Sequence, residues 1–210
     1  ATSPEDGPHF ARRLERMYLQ NPDDNVAFGL LADYKDAPVP TLPEDEKIAT
    51  ALEEAIHLLN RKYGNHFCLF LRGRSKSPSE KIYMGWERKR GALIELNRFL
   101  LGREDRFEKV ILPKGFRNNT AYILTLDADT DLRIGALRRL YATLKHPYNR
   151  PKVKNGVVVS GYGVLQPRMV TGVDSAGRSP FSALYAGGGG IDSYQNAVCD
   201  FYQSGFGRGA

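Results

Sequence analysis

The stretch Thr120-Ala121-Tyr122-Ile123-Leu124-Thr125-Leu126 runs straight into two carboxylates, Asp127 and Asp129. Seven residues are too few for a typical buried helix, and the β-rich composition favours a central strand. Past Asp129 the period changes, because Leu132, Ala136, Leu137, Leu140 and Leu144 recur at helical spacing. Asp127 and Asp129 are therefore expected on a strand-to-helix turn at the carboxyl end of the strand. In an open α/β sheet that end is where ligands bind. Residues i and i+2 of an extended segment point the same way. Two carboxylates pointing together repel each other unless a cation joins them, and their hard oxygens suit Mg²⁺ or Mn²⁺. The plainer reading is a turn plus a helix N-cap, since Asp-x-Asp is a common pattern.

The rest of the chain alternates in the same manner. Residues 1–7 are expected as a loose tail. Phe10, Leu14, Met17 and Tyr18 mark a short amphipathic helix stopped by Asn21-Pro22. Residues 26–32 form an apolar strand candidate that also ends in carboxylates, Asp33 and Asp36. Pro38, Pro40 and Pro43 stiffen the next loop, and Thr41-x-x-Glu44 resembles a capping box. The helix it opens carries Ile48, Leu52, Ala55, Ile56 and Leu59 on one face, with Gly64 as its stop. Residues 66–71 are a third strand, followed by a polar loop over 72–81. A helix is expected from Leu93, preceded by Arg88, Lys89 and Arg90. Cations at a helix start oppose its dipole. They are easier to explain if an anion binds there with the free N–H groups, although a solvated basic face is the alternative. Val110-Ile111-Leu112 precedes the Asp127 segment, a Pro/Asn loop covers 146–155, and residues 157–166 are a further strand candidate. Four consecutive glycines close the segment 178–190, and a last helix is expected over 192–202. This alternation predicts an α/β layered domain with a mostly parallel central sheet flanked by helices.

Composition limits the function classes. At 41% hydrophobic and 26% charged the chain is globular and not disordered. Lys plus Arg exceed Asp plus Glu by 30 − 24 = 6, which fits an anionic ligand such as a nucleotide. Cys68 and Cys199 lie in apolar contexts and read as reduced core thiols, and the four histidines make no zinc spacing. No signal peptide and no apolar run near membrane length is present, so this segment is expected to be soluble. The first residue is no initiator and the Gly-rich end stops without an element, so the chain reads as a piece of something longer.

Three features would meet at the carboxyl edge of the sheet: Asp33 with Asp36, the basic helix start, and Asp127 with Asp129. The first offers carboxylates to a base, a ribose or a metal. The second offers cations to a phosphate, and the third a divalent cation bridging phosphate oxygens. This suits a nucleoside diphosphate ester whose diphosphate leaves. The absence of a P-loop or Gly-x-Gly-x-x-Gly fingerprint argues against a kinase or a dinucleotide-dependent dehydrogenase.

These residues resemble a known family. Lys89-Arg90-Gly91-Ala92-Leu93 with Leu126-Asp127-Ala128-Asp129-Thr130 is similar to processive sugar transferases of the GT-A fold. The segments 28–38, 84–91, 161–168, 175–179, 192–194 and 200–203 resemble more closely the glycosyltransferase domain of cyclic β-1,2-glucan synthases. Among them the string Gly85-Trp86-Glu87-Arg88-Lys89-Arg90-Gly91 is the most specific. The resemblance implies a GT-A-like nucleotide-sugar-binding domain over residues 8–210, truncated on its C-terminal side. It implies a UDP-glucose donor, Mg²⁺ or Mn²⁺, and inverting glucosyl transfer to a growing β-1,2-linked glucan. By position, Asp33 would contact the uridine, with Asp36 beside it. Lys89 or Arg90 would face the diphosphate, Asp127 the donor's ribose or sugar, and Asp129 the metal, with Asp127 sharing it. Tyr162, Gln166, Arg168 and Arg178 would be acceptor or donor contacts. The general base is expected beyond Ala210. The family protein is a large enzyme working at the cytoplasmic face of the bacterial inner membrane.

The sequence departs from the family in two places. The residues from Arg72 to Ser77 replace a pattern richer in Arg, Trp and Asn, and Arg208 stands where an acidic residue is expected. Two other readings therefore remain open. One is a catalytically incomplete module that binds nucleotide sugar or a partner without turnover. The other is a nucleic-acid binder, suggested only by net charge and the basic stretch 72–90. No nucleic-acid motif supports it, and strand-end carboxylates would repel phosphates unless a metal intervened.

Overall fold

The run Phe67-Cys68-Leu69-Phe70-Leu71 has no polar member, so a strand made of it must be covered on both faces. The computed structural model, which describes residues 1–103, 106–114, 116 and 119–167, places it so. Strand β2 (Phe67–Arg72) is buried at every position. It lies between β1 (Phe28–Asp33) and β5 (Phe107–Ile111), with helix α1 (Asp6–Gln20), helix α2 (Asp45–Tyr63), and the short strands β3 (Ser75–Lys76) and β4 (Tyr83–Met84) around them. Helix α3 is Arg88–Leu100 and helix α4 is Ala136–Lys145. The chain divides into two compact units, Ala1–Tyr141 and Ala142–Ala210.

In the first unit, alternate residues of β2 serve different layers. Phe67, Leu69 and Leu71 join Ile48, Leu52, Ile56 and Leu59 of α2 and Leu14 of α1 in one apolar core. Burying each of these side chains contributes about 1.5–3 kcal/mol. Phe70 faces the other way and meets Phe99 of α3 and Phe107 of β5, with ring centroids 5.5 and 5.3 Å away. The side chain of Asn60 clasps the backbone of Phe67 in both directions, at 3.0 and 2.9 Å, and so ties the end of α2 to the start of β2.

The architecture is mixed α/β, as expected, but among the described residues the three-stranded sheet is not mostly parallel. Strand β1 runs parallel to β2, and β5 runs antiparallel to it. The expected central strand over residues 120–126 is likewise not found. Among the described residues this run pairs with no strand, and Tyr122, Ile123 and Leu124 are exposed. Strand propensity records fit to a pleated, half-buried surface, and it makes no strand where no neighbour supplies the ladder. Leu126 alone packs against the core.

Smaller differences follow the local chemistry. Helix α1 begins at Asp6, inside the expected tail, and the Asp6 carboxylate accepts the N–H groups of Thr2 and Ser3. The expected Thr41 to Glu44 capping box is absent; Asp45 instead accepts the Leu42 N–H at 2.7 Å. Helix α3 starts at Arg88 rather than Leu93. The loop over 72–81 contains β3, which pairs with β4 just beyond it.

The second unit holds an antiparallel hairpin of β6 (Lys152–Lys154) and β7 (Val157–Ser160), so the expected strand over 157–166 is shorter. The expected helix over 192–202, the glycine run, Cys199, Arg168 and Arg178 lie outside the described residues. Among the described residues no helix is long and apolar enough to cross a membrane.

Candidate functional site

Because β1 and β2 are parallel and in register, their carboxyl ends put Asp33 opposite Arg72. The Arg72 guanidinium grips the Asp33 carboxylate as a fork, Nε to Oδ1 and Nη2 to Oδ2, both at 2.6 Å. Its Nη1 donates to Glu95 Oε2 on α3 at 2.8 Å and to the Trp86 carbonyl at 3.0 Å. Its Nη2 also donates to the Arg88 carbonyl at 2.9 Å. The Arg72 side chain is only 2% exposed, and that of Asp33 is 28% exposed. Burial works against the guanidinium charge, but the hydrogen bonds and charges of Asp33 and Glu95 outweigh it, and the net shift of its pKa is upward.

The string Gly85-Trp86-Glu87-Arg88 wraps onto this fork. A Cβ on Gly85 would lie 2.5 Å from Asp33 Oδ2 and 2.8 Å from Arg72 Nη2, so any side chain there would push on the pair. Glu87 and Arg88 take the left-handed conformation at φ 52° and 49°, which is costly for residues with side chains. Two Arg72 hydrogen bonds to the carbonyls of this turn help to hold it. A backbone bridge between Ala37 and Tyr83, with N–H to O distances of 2.9 and 2.8 Å, ties the turn to the loop after β1.

This places the basic helix start among the carboxylates. Arg88 reaches Asp36 Oδ2 and Glu80 Oε2, each at 2.8 Å, and both contacts raise its pKa. Lys89 is ion-paired with Asp127. Arg90 is exposed and leans back on Glu87 at 3.1 Å. The Asp127 segment is a tight turn, with the Thr130 N–H on the Asp127 carbonyl at 3.0 Å. Helix α1 holds its far side: Arg13 Nη2 donates to the Thr130 carbonyl at 3.1 Å and Arg16 Nη2 to Asp131 at 2.6 Å. The structure thus brings Asp33, Asp36, Arg88, Lys89 and Asp127 into one linked cluster at the carboxyl end of the parallel strand pair. Asp129 projects from the same turn and is exposed. Tyr162 and Gln166 are exposed residues of the second unit.

The donor set bears on the metal. Among the described residues no group of three or more His, Cys, Asp or Glu side chains is placed to hold a cation. Mg²⁺ typically takes one or two carboxylates and completes its shell with water and substrate phosphate oxygens. Asp127 and Asp129 fit that kind of site. Asp127 is already compensated by an ammonium group, so a cation arriving there meets a carboxylate whose partner it would replace.

Two residues that sequence reasoning missed are Arg72 and Arg74, assigned to a polar loop. Arg74 is buried too: it makes a fork with Asp45 at 2.5 and 2.9 Å and stacks over the Tyr34 ring at 5.0 Å. Tyr34 in turn donates to Glu108 at 2.8 Å, and burial followed by that bond pushes its pKa upward. Two cations of the basic stretch 72–90 are therefore used inside the protein. The available signal was an arginine directly after five apolar residues, where a charge needs partners.

No family model matches the chain. The cyclic beta-(1,2)-glucan synthase NdvB of Rhizobium meliloti (strain 1021) is 36% identical over 209 residues, which covers 95% of this chain. The chain is related to that enzyme. It spans 7% of that enzyme's length. The match runs across nearly the whole chain, so it takes in the Gly85 to Gly91 string and the Asp127 turn together.

Proposed function

We propose that this chain is the donor-binding part of a GT-A-type glycosyltransferase within a larger membrane enzyme. In this reading the donor is UDP-glucose, the metal is Mg²⁺ or Mn²⁺, and the product is cyclic β-1,2-glucan made by inverting transfer at the cytoplasmic face of the bacterial inner membrane. The observation that carries the reading is the Lys89–Asp127 ion pair, which joins the basic start of α3 to the carboxylate turn. The relation to a glucan synthase supplies the substrate class.

In an inverting transfer an acceptor hydroxyl attacks the sugar's anomeric carbon as the nucleoside diphosphate departs, and a base takes the hydroxyl proton. Here Asp33 would accept an N–H from the uracil, with Asp36 and Arg88 closing the adjoining side. Lys89 and Arg90 would balance the diphosphate charge. Asp127 would contact the ribose or sugar and share the cation with Asp129. The cation's contribution is to neutralise charge building on the leaving diphosphate. Tyr162, Gln166, Arg168 and Arg178 would contact donor or acceptor. The base is not assigned to any residue of this chain.

Titration calorimetry of UDP with and without Mn²⁺ tests the reading. Wild type should bind UDP only with Mn²⁺, and Asp129→Asn should bind far more weakly. Equal affinity in both proteins would remove the metal role, and no UDP binding at all would remove the function. UDP release from UDP-glucose in the presence of glucan separates a transferase from a module that binds without turnover.

A further inference from the structure

We propose that Arg72 is a positioning residue of the nucleotide-sugar site, holding the Asp33 carboxylate and the Trp86–Arg88 turn in one arrangement so that nucleobase selection depends on a residue that touches no ligand. The inference rests on the donor-binding reading above and adds to it where selectivity is set.

A guanidinium has five N–H donors. Arg72 uses one at Nε, two at Nη1 and two at Nη2, to Asp33 twice, to Glu95, and to the carbonyls of Trp86 and Arg88. None is left for a ligand, and the side chain is buried. What Arg72 does must therefore act through its partners. Those partners come from the end of β1, from the turn that starts α3, and from the middle of α3. Arg72 itself ends β2, so one side chain fixes the mutual placement of every element that carries a candidate donor contact near Asp33.

The charge balance leaves Asp33 active. Asp33 and Glu95 carry two negative charges against one positive, so the cluster stays net negative. A carboxylate has about four lone-pair sites, and Arg72 occupies two of those on Asp33. The remaining sites on its exposed edge accept N–H groups and repel lone pairs. That edge selects a pyrimidine presenting an imide N–H, as uracil does, over cytosine, which presents a bare ring nitrogen at the same place. Selection of this kind requires that the carboxylate not rotate to suit a different base, and the planar fork of Arg72 prevents rotation. A lysine in its place offers three donors without the fork.

The test uses the 210-residue chain in Mn²⁺, with Kd for UDP and for CDP measured on each preparation. The ratio of the two is independent of the fraction of folded protein. Wild type should prefer UDP. Arg72→Lys should keep metal-dependent diphosphate binding while the CDP-to-UDP Kd ratio falls about tenfold, as expected for one misplaced hydrogen bond to a charged group. Gly85→Ala, which drives a Cβ into the same fork, should lower the ratio while residue 72 stays arginine, and serves if Arg72→Lys does not fold. An unchanged ratio in a folded variant overturns the inference while the donor-binding reading stands. Equal wild-type affinity for UDP and CDP overturns it in the same way. No wild-type binding of either nucleotide overturns both.

Discussion

A Cβ on Gly91 would lie 1.8 Å from the carbonyl oxygen of Trp86. That carbonyl is held in place by Arg72, so it cannot retreat without breaking a buried hydrogen bond. Gly91→Ala should lower stability by about 1–3 kcal/mol, the usual range for forcing extra volume into a packed site. The displacement falls on the turn bearing Arg88 and Lys89, so UDP affinity should fall as well. Urea midpoints and calorimetry on the same variant measure the two effects.

Lys89→Met should separate binding from folding. Both members of the Lys89–Asp127 pair are more than half exposed. Exposed pairs contribute less than about 1 kcal/mol to stability. The urea midpoint should barely move. Affinity for UDP should drop, and its dependence on salt should flatten, if Lys89 faces the phosphates as proposed.

The Asp45–Arg74 pair contributes to acid stability. The hydrogen bond to Arg74 holds the Asp45 pKa below the usual carboxylate range, with burial opposing. The unfolded value is about 3.9. A depressed folded value means the stabilisation is complete above the unfolded value and is lost as pH falls through the lower folded one. Wild type should therefore lose stability as pH falls from about 5 through the lower folded value. Asp45→Asn should be less stable at neutral pH and show a shallower loss over the same range. Urea midpoints at several pH values provide the comparison.

Cys68 is buried, and burial pushes its thiol up to about 12. At pH 8 it should resist alkylation in the native protein and react quickly in urea. Mass spectrometry of the peptide carrying Cys68 reads this directly. Rapid native labelling at Cys68 would mean that β2 is not covered on both faces.

Several elements were legible because their signals are local. The face Ile48, Leu52, Ile56, Leu59 repeats at helical spacing, and α2 forms there. Asn155-Gly156 between Lys154 and Val157 is a two-residue hairpin signal, and both residues have positive φ, at 51° and 78°. Reading residues 146–155 as a Pro/Asn loop absorbs Asn155 and hides that signal. The run 120–126 misled in the opposite direction: its composition suits a strand, but a strand needs a partner that no local pattern guarantees.

From the order of residues alone came the layered α/β class, the acidic end of β1, the basic start of α3 and the two aspartates of the later turn, because each is a matter of periodicity or of neighbours in the chain. The tertiary structure decided that β5 is antiparallel, and that Arg72 meets an aspartate 39 positions before it and a glutamate 23 positions after it. Strand register sets those meetings. Register depends on how whole elements pack, so a charge that would be solvated in a free loop becomes, at the end of a buried strand, the group around which its neighbours must arrange.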